Sequence, residues 1–367
     1  MGNRPTPAVP RTSEELPMQT REIDATALET LMAAAVAAPS IHNTQPWRFR
    51  LNPATRSIEV RADRRRVLPL ADPDGRAQHL SAGAAVFNLR VAAAHLGWNP
   101  RVHLLPDPDD PDLLAALHLM ATADAPPDYR ELYEAVERRH TSRMPFTGRT
   151  VPEPIVTEMV AAARAEGAHM YVPDILGTRR LLPVTSAAEM RNSTDEARTA
   201  ESRAWITLPG SSPYGIPVTA PRPLDAAGRM PMRDFTGRAW SRQRPPVRFE
   251  RHAQVALLWT VCDRQADWLR AGQALERTLL VATAHGVRTS MLHQAMEWRD
   301  LREAMRDPSA KRCHPQLLIR FGYGPEGERT PRAAARPNGR GAREWETATT
   351  EDARSGPGAP ARTPGSW

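Results

Sequence analysis

The chain of 367 residues contains little cysteine and almost no lysine. Cys262 and Cys313 are its only thiols, too few for a disulfide framework in a chain of this length, so we expect a reducing, cytoplasmic compartment. Lysine occurs once, at Lys311, and arginine supplies all the other basic side chains. The simplest explanation of so complete a preference for arginine over lysine is the base composition of the genome, rather than selection for guanidinium chemistry.

Long hydrophobic runs are missing too. No stretch approaches the roughly 18 apolar residues of a membrane-spanning helix, and residues 1–17 lack the apolar core of a signal peptide. We therefore expect no membrane partner. The net charge of +7 is dispersed among acidic residues, which disfavours nucleic acid as a partner, because nucleic-acid binders cluster their positive charge. A mildly basic chain does suit small anionic ligands.

Several catalytic signatures do not occur. The histidines show no H-E-x-x-H spacing and no pairing with cysteine, so no metal site is predicted. Nucleophile-elbow and P-loop patterns are missing as well. The segment F-G-Y-G-P-E-G at residues 321–327 has the letters of a dinucleotide fingerprint. It does not open the apolar helix that such a site requires, so we reject that interpretation.

The hydrophobic patterns that are present predict an α+β protein. Helices are predicted at 24–38, 75–96, 128–139, from 152, at 175–204 and at 267–285. Strands are predicted at 47–51, 57–63, 101–105, 116–121, 169–172, 254–261 and 316–321. Residues 1–20 are predicted to be a disordered lead-in, and residues 337–367, rich in Pro, Gly, Arg and Ala, a disordered tail.

An internal repeat is visible in two of the predicted helices. Gly83 precedes Gly97 by fourteen residues, and Gly272 precedes Gly286 by the same number, at an offset of 189. Alanines flank and follow both glycines in register. A repeat at this distance predicts two copies of one domain in a single chain, here residues 21–127 and 128–336. Such a pseudo-dimer leaves both a monomer and a homodimer open.

The segment 205–250 differs from its surroundings because it is rich in proline and glycine. A loop of this length inside a compact domain is either functional or disordered. Its apolar members, among them Ile216, Met232 and Phe235, indicate that it packs on something. We interpret 205–250 as a lid-like insertion in the second half.

The strongest motif is A-P-S-I-H-N-T-Q-P-W at residues 38–47. It places hydroxyl, imidazole and amide groups together at a helix-to-strand corner, stiffened by a proline at each end. Amides of this kind can match the edge of a pyrimidine-like ring. The alternative is a helix end whose side chains satisfy their own backbone.

This motif resembles the P-S-x-x-N-x-Q-P-W-x-F signature of the FMN-dependent nitroreductases, and H-N-T-Q-P-W is especially similar to the Acg-type branch of that superfamily. The resemblance implies flavin contacts at Ser40 and Asn43. It also adds His42 and Gln45 to the predicted cofactor-binding residues, where they shape the corner or the substrate side. It extends over roughly residues 24–336 and implies a mixed sheet sandwiched by helices and duplicated in one chain.

A second motif, R-R-H-T-S-R at residues 138–143, places guanidinium and hydroxyl donors close together. From charge alone, a solvated basic helix end is the commoner interpretation. The segment is, however, similar to the R-x-S-x-R/K element that holds the FMN phosphate in nitroreductases, matching at Arg139, Thr141 and Arg143. The flavin-edge motif and the phosphate motif then lie in different halves, so the two halves are predicted to share one site.

Two weaker matches follow. The segment H-G-V-R-T-S-M-L at 285–292 resembles the family's loop beside the central flavin ring, which implies contacts at Ser290 and Leu292. There a backbone N–H would polarise the hydride acceptor. The segment T-P-R at 330–332 resembles the family's closing basic segment and implies a phosphate contact at Arg332.

The resemblance implies an FMN-dependent oxidoreductase. Hydride would pass from NAD(P)H to the flavin and then to a nitro compound, quinone or similar acceptor, with no dedicated protein base. Two alternatives remain open. If the insertion covers the flavin, the protein could sequester or store FMN without turnover. A protein that keeps the fold but binds no flavin, and acts through interactions, is the third possibility.

Overall fold

The computed structural model describes residues 23–52, 55–120, 127–220, 223–235, 245–307, 312–327, 329–338 and 344–346. The predicted lead-in, residues 1–20, lies outside these ranges. None of the helices in the described ranges combines the length and the hydropathy needed to cross a bilayer.

The first half contributes two helices and four strands. They are α1 (Ala25–Val36), β1 (Trp47–Asn52), β2 (Ser57–Ala62), α2 (Arg76–His95), β3 (Asn99–Leu104) and β4 (Leu113–Met120). Helix α1 begins where predicted, because the Asp24 side chain accepts a hydrogen bond from the backbone N–H of Ala27 at 2.7 Å. The two strands predicted at 47–51 and 57–63 are β1 and β2, which pair as an antiparallel hairpin.

The remainder of the chain contributes six helices and eight strands to the described residues. They are α3 (Pro127–Arg138), α4 (Glu153–Ala165), β5 (His169–Tyr171), α5 (Ile175–Thr194), α6 (Glu196–Ala204), β6 (Ile206–Thr207), β7 (Ile216–Pro217), β8 (Gln254–Thr260), α7 (Gln265–Ala284), β9 (Arg288–Leu292), α8 (Arg299–Ala304), β10 (His314–Gly322), β11 (Arg336–Asn338) and β12 (Glu344–Glu346). The helix predicted at 175–204 is interrupted at Asp195. This residue leaves the helical conformation and caps α6 by accepting from Arg198 N.

Two sheets carry the architecture, one with the strand order β11-β12-β1-β2-β4-β3 and one with the order β5-β8-β10-β9. A mixed sheet is expected from the family resemblance. In the described residues, every pairing inside these two sheets is antiparallel, and the parallel pairing of named strands is that of β6 with β7.

The duplication is visible in the topology. In the first half, β2 precedes the long helix α2 and pairs with β4, which also pairs with β3, so the strand order is β2-β4-β3. In the second half, β8 precedes the long helix α7 and the order is β8-β10-β9. When 189 is added to the first and last residue numbers of α2, the result is the first and last residue numbers of α7. Both helices are lined by buried residues and pack against each other, so one hydrophobic core runs through both halves.

The C-terminal segment corrects one prediction. Part of the supposedly disordered tail, 337–367, forms strands: β12 pairs with β1, and β11 pairs with β12. The chain therefore returns from the second half to extend the sheet of the first half. A strand at the edge of a sheet has unpaired backbone N–H and C=O groups, and a further strand of almost any sequence can pair with them. Residues 347–367 lie outside the described residues.

Candidate functional site

One cavity is built from both halves of the chain. Its wall includes the end of α1, the first turns of α2, the segment after α3, strands β9 and β10, and residues 329–332. Nine of the ten predicted site residues line it: Ser40, His42, Asn43, Arg139, Thr141, Arg143, Ser290, Leu292 and Arg332. The structure thus brings together motifs that are almost 300 residues apart in the sequence.

The corner after α1 has an unusual backbone. His42, Asn43 and Gln45 adopt positive φ angles of 48°, 55° and 49°. Such angles are uncommon outside glycine, and clusters of them occur at functional sites, where surrounding contacts hold the strained backbone. Here the Ser40 hydroxyl accepts from Gln45 N at 2.9 Å, and the Ser81 hydroxyl of α2 accepts from Ile41 N at 3.2 Å.

The amide of Asn43 ties this corner to two other segments. Its Nδ2 donates to the carbonyl oxygens of Gly215 at 2.8 Å, Pro331 at 3.0 Å and Pro213 at 3.2 Å. The other amide atom, Oδ1, is buried and has no hydrogen-bond partner among the described residues. A buried acceptor of this kind is expected to be satisfied by something bound in the cavity.

Gln45 requires a correction, because it does not line the cavity. Its side chain is fully buried, and both ends of its amide are used. Nε2 donates to Pro213 O at 2.8 Å, and Oε1 accepts from Ala333 N at 3.0 Å. The predicted flavin contact is therefore replaced by a structural role, in which Gln45 joins the corner to the insertion and to the segment that carries Arg332.

One end of the cavity is basic. Arg139 is buried, donates to Ala37 O at 2.9 Å, and lies 3.3 Å from the carboxylate of Glu276. Arg332 donates to Ala38 O at 3.2 Å. Burial and the neighbouring Arg139 lower the pKa of Arg332 to about 9, which still leaves it cationic at neutral pH. Because the guanidinium groups of Arg139 and Arg332 outnumber the carboxylate of Glu276, this end of the cavity has a net positive charge. Thr141 lines the same cavity.

The insertion covers the cavity from the other side. Four of its residues, Ile216, Met232, Arg233 and Phe235, line the wall. The Arg143 guanidinium lies 5.7 Å from the centre of the Phe235 ring, and the His42 ring meets the same ring edge to face at 5.0 Å. The predicted lid segment therefore contacts the predicted flavin and phosphate motifs directly.

Ser290 and Leu292 lie on strand β9 rather than on the predicted loop. They line the cavity although each is almost completely buried. The phosphate motif is held beside this strand, because Ser142 N donates to Thr289 O at 2.9 Å and Thr141 bridges to Thr289. Pairing with β10 along the whole of β9 explains why this segment is a strand.

Sequence reasoning missed several lining residues that belong to no recognisable motif. Arg76 begins α2 and donates to Gln316 O at 2.7 Å, and burial lowers its pKa to about 10. His293 follows β9 and also lines the cavity. His42, His293 and Glu297 form a group whose nitrogen and oxygen atoms lie within 4.8 Å of one another. The long helix after Gly75 and the histidine at 293 are visible in the sequence, but nothing there connects them to residues 38–47.

Comparison with known proteins places this chain in a family. No protein-family model matches the chain. Rv3131 of Mycobacterium tuberculosis, provisionally named an NAD(P)H nitroreductase, is 33% identical over 309 residues, covering 84% of this chain and 88% of that protein. The provisionally named NAD(P)H nitroreductase acg of the same organism is 28% identical over 313 residues, covering 84% and 92%.

Among solved structures, a provisionally named nitroreductase of Anabaena variabilis aligns with 86% of this chain and 94% of its own, at a TM-score of 0.46 and 10% identity. The family itself rests on the sequence relatives, whose similarity extends over both halves. The chain belongs to the nitroreductase superfamily, in the branch that contains acg.

Proposed function

We propose that the cavity binds one FMN per chain, with the phosphate at the basic end and the ring system at the corner. Arg139, Thr141 and Arg332 would hold the phosphate, because guanidinium and hydroxyl donors form strong charge-assisted hydrogen bonds to it. Arg143, the fourth residue of the predicted phosphate set, lies between that end and Phe235. The observation that carries this proposal is the meeting of both motifs in one cavity.

The remaining predicted site residues fit a flavin ring. Ser40, His42, Asn43, Ser290 and Leu292 line the same cavity, and they combine polar groups with an apolar surface. The buried Oδ1 of Asn43 lacks a hydrogen-bond partner among the described residues. An isoalloxazine carries both donors and acceptors along its edge, so a bound ring would supply partners for such groups.

The proposed activity is that of an NAD(P)H-dependent oxidoreductase acting on a nitro compound, a quinone or a similar flat acceptor. When bound, FMN would supply the two-electron chemistry, since it accepts hydride from NAD(P)H and passes electrons to the acceptor. The protein would supply orientation, the cationic phosphate site and a cavity largely shielded from water. The names of Rv3131 and acg support this reaction class.

Flavin content and anaerobic reduction test the proposal. The purified protein, incubated with FMN and desalted, should retain one FMN per chain, and two would mean that each half forms a full site. NADH or NADPH added without oxygen should then bleach the flavin absorbance. A protein that stays colourless after incubation with FMN would refute the flavin site itself.

A second function, sequestration of FMN, is favoured by one observation. The insertion lines the cavity and is tied to the corner through Asn43 and Gln45, so a nicotinamide could be prevented from stacking on the ring. Flavin that stays yellow under NAD(P)H would support this alternative. If a variant lacking residues 210–240 then bleaches, the insertion is the cause.

A further inference from the structure

Three ionisable side chains form a chain beneath the insertion. His42 lies on the corner, His293 follows β9, and Glu297 lies four residues further on. The Nε2 atom of His293 is 3.1 Å from Oε1 of Glu297, and the rings of His42 and His293 are 5.4 Å apart between centres. Both histidines line the cavity, whereas the carboxylate of Glu297 is buried behind them.

Glu297 is held as an anion in a fixed position. Asn192 Nδ2 donates to it at 2.9 Å and Arg233 Nη1 at 3.0 Å. Burial alone would raise the pKa of this carboxyl, but Arg233 and His293 lower it to about 2. A fixed carboxylate 3.1 Å from Nε2 sets the orientation of the His293 ring. Because Arg233 already donates to the carboxylate of Glu297, the set of His42, His293 and Glu297 is poorly suited to binding a metal cation.

His42 is enclosed, with neither ring nitrogen hydrogen-bonded within the described part of the chain. Burial lowers its pKa well below the ordinary value, and the positive charges of His293, Arg233 and Arg143 add to this, against the opposing effect of Glu297. The ring is therefore neutral. A neutral imidazole can donate from one nitrogen while it accepts at the other, which is what a proton relay requires.

We propose that His42 delivers the proton that the acceptor consumes, that His293 replaces this proton, and that Glu297 positions His293. The proposal rests on the proposed function, which supplies the hydride. In the reduction of a nitro compound, one hydride and one proton convert R–NO2 to R–NO and water. The hydride adds to one nitro oxygen, so that its electron pair reduces the nitrogen, the same oxygen takes a proton from His42, and the N–O bond breaks to release water.

The two proton transfers at His42 are concerted. As one ring nitrogen gives its proton to the departing oxygen, the other accepts a proton from His293, whose positive charge Glu297 balances, so that His42 stays neutral. His293 then regains its proton from solvent. The atoms concerned lie within 4.8 Å of one another, a separation that one ring rotation or one bridging water closes. Arg143 and Arg233, the other charged groups facing His42, would stabilise negative charge on the departing oxygen.

The test uses two acceptors with different proton demands. Holoprotein is reduced anaerobically with dithionite, so that the result does not depend on NAD(P)H, and is then reoxidised by 1,4-dinitrobenzene or by ferricyanide. Only the nitro compound consumes a proton at the acceptor. The variants are His293→Gln, and His42→Asn because asparagine tolerates the positive φ at this position. The matched control is His285→Gln, since His285 forms a comparable pair with Glu158 at 2.7 Å on the surface.

We expect both variants to slow reoxidation by dinitrobenzene about 100-fold more than they slow reoxidation by ferricyanide, which is the scale of general acid catalysis. Equal slowing with both acceptors, or no slowing with either, would overturn the relay. So would one divalent metal ion per chain that is lost in His293→Gln.

A second readout needs no turnover. In flavin-free protein labelled with 15N-histidine, the His293 Nε2 resonance should show a hydrogen-bonded N–H that disappears in Glu297→Gln. An unchanged His293 spectrum in that variant would overturn the positioning role. Wild-type protein that takes up no FMN would instead refute the proposed function, so the two failures are distinguishable.

Discussion

Gly83 of α2 and Gly272 of α7 face each other where the two halves of the chain cross. A Cβ atom on Gly83 would overlap the carbonyl oxygen of Leu269, and one on Gly272 would overlap that of Leu80. The two contacts are reciprocal, since each oxygen belongs to the residue three positions before the opposite glycine. The internal repeat at these glycines is therefore the contact at which two copies of one helix pack together.

Gly83→Ala should destabilise the whole protein rather than one half. The added methyl group meets backbone atoms, which cannot move aside as a side chain can, so α2 and α7 must separate. We expect the free energy of unfolding to fall by about 3 kcal/mol, the upper range for overpacking, as measured by urea denaturation. Gly148→Ala is the control, because its Cβ would meet nothing within 4 Å. Equal stability of the two variants would contradict the close crossing.

Arg332 should distinguish FMN from riboflavin, which lacks the phosphate. Arg332→Met removes a donor from the basic end, together with its hydrogen bond to Ala38 O. We expect the dissociation constant for FMN to rise about 10- to 100-fold, as for the loss of a charge-assisted hydrogen bond, while that for riboflavin stays the same. Fluorescence titration measures both. Arg101→Met, at an exposed position on β3, should change neither, and parallel weakening of both ligands would place the phosphate elsewhere.

Glu276 should make stability depend on pH. Burial raises the pKa of this carboxyl to about 7 from a model-peptide value of 4.5, although Arg139 opposes the rise. Between these values the folded protein holds a proton that the unfolded chain has released. Glu276 therefore makes its full contribution to the free energy of unfolding below pH 4.5. As the pH rises towards 7 this contribution is lost, and the loss is at most about 3 kcal/mol.

Glu276→Gln, which mimics the protonated carboxyl, should remove this contribution to the pH dependence of the free energy of unfolding. The variant should match the wild type near pH 4.5 and exceed its free energy of unfolding at pH 8, as followed by urea denaturation across that range. Glu131→Gln, at an exposed position on α3, is the control and should follow the wild-type curve. A Glu276→Gln curve parallel to that of the wild type would mean that Glu276 titrates normally.

The parts of the fold that sequence reasoning predicted are those set by local chemistry. Pro39, Gly97 and Gly286 lie within a few residues of the ends of α1, α2 and α7, so these helices could be placed from the sequence. The corner at 38–47 could be recognised because few sequences combine its prolines, amides and hydroxyls. These signals lie within a few residues of the structure they determine.

What escaped prediction depends on residues far apart in the chain. Strands β11 and β12 form because the edge of β1 is available to them, and nothing in their own composition indicates it. Glu276 belongs to an ordinary helical pattern and reaches the basic end only because α7 passes Arg139. Gln45 was assigned to the flavin because its partners, Pro213 and Ala333, lie about 170 and 290 residues away.

Gln45 consequently makes a prediction of its own. Gln45→Gly keeps the positive φ of this position accessible and removes only the side chain, so it deletes the bonds to Pro213 O and Ala333 N. We expect faster amide hydrogen exchange at residues 213–217 and at 333, because both segments lose a tether to the corner. FMN should bind about tenfold more weakly, since two neutral hydrogen bonds that position Arg332 and the insertion are lost.

The control for that experiment is Arg56→Gly. Arg56 is exposed and has a φ of 47°, so the substitution makes the same backbone change at a position away from the cavity. It should leave exchange at 213–217 and FMN affinity unchanged, and relief of the positive φ should slightly stabilise the protein. If Gln45→Gly lowers FMN affinity without faster exchange in either segment, the Gln45 side chain contacts the flavin after all. Faster exchange together with weaker binding identifies it as the link between the corner, the insertion and the phosphate end.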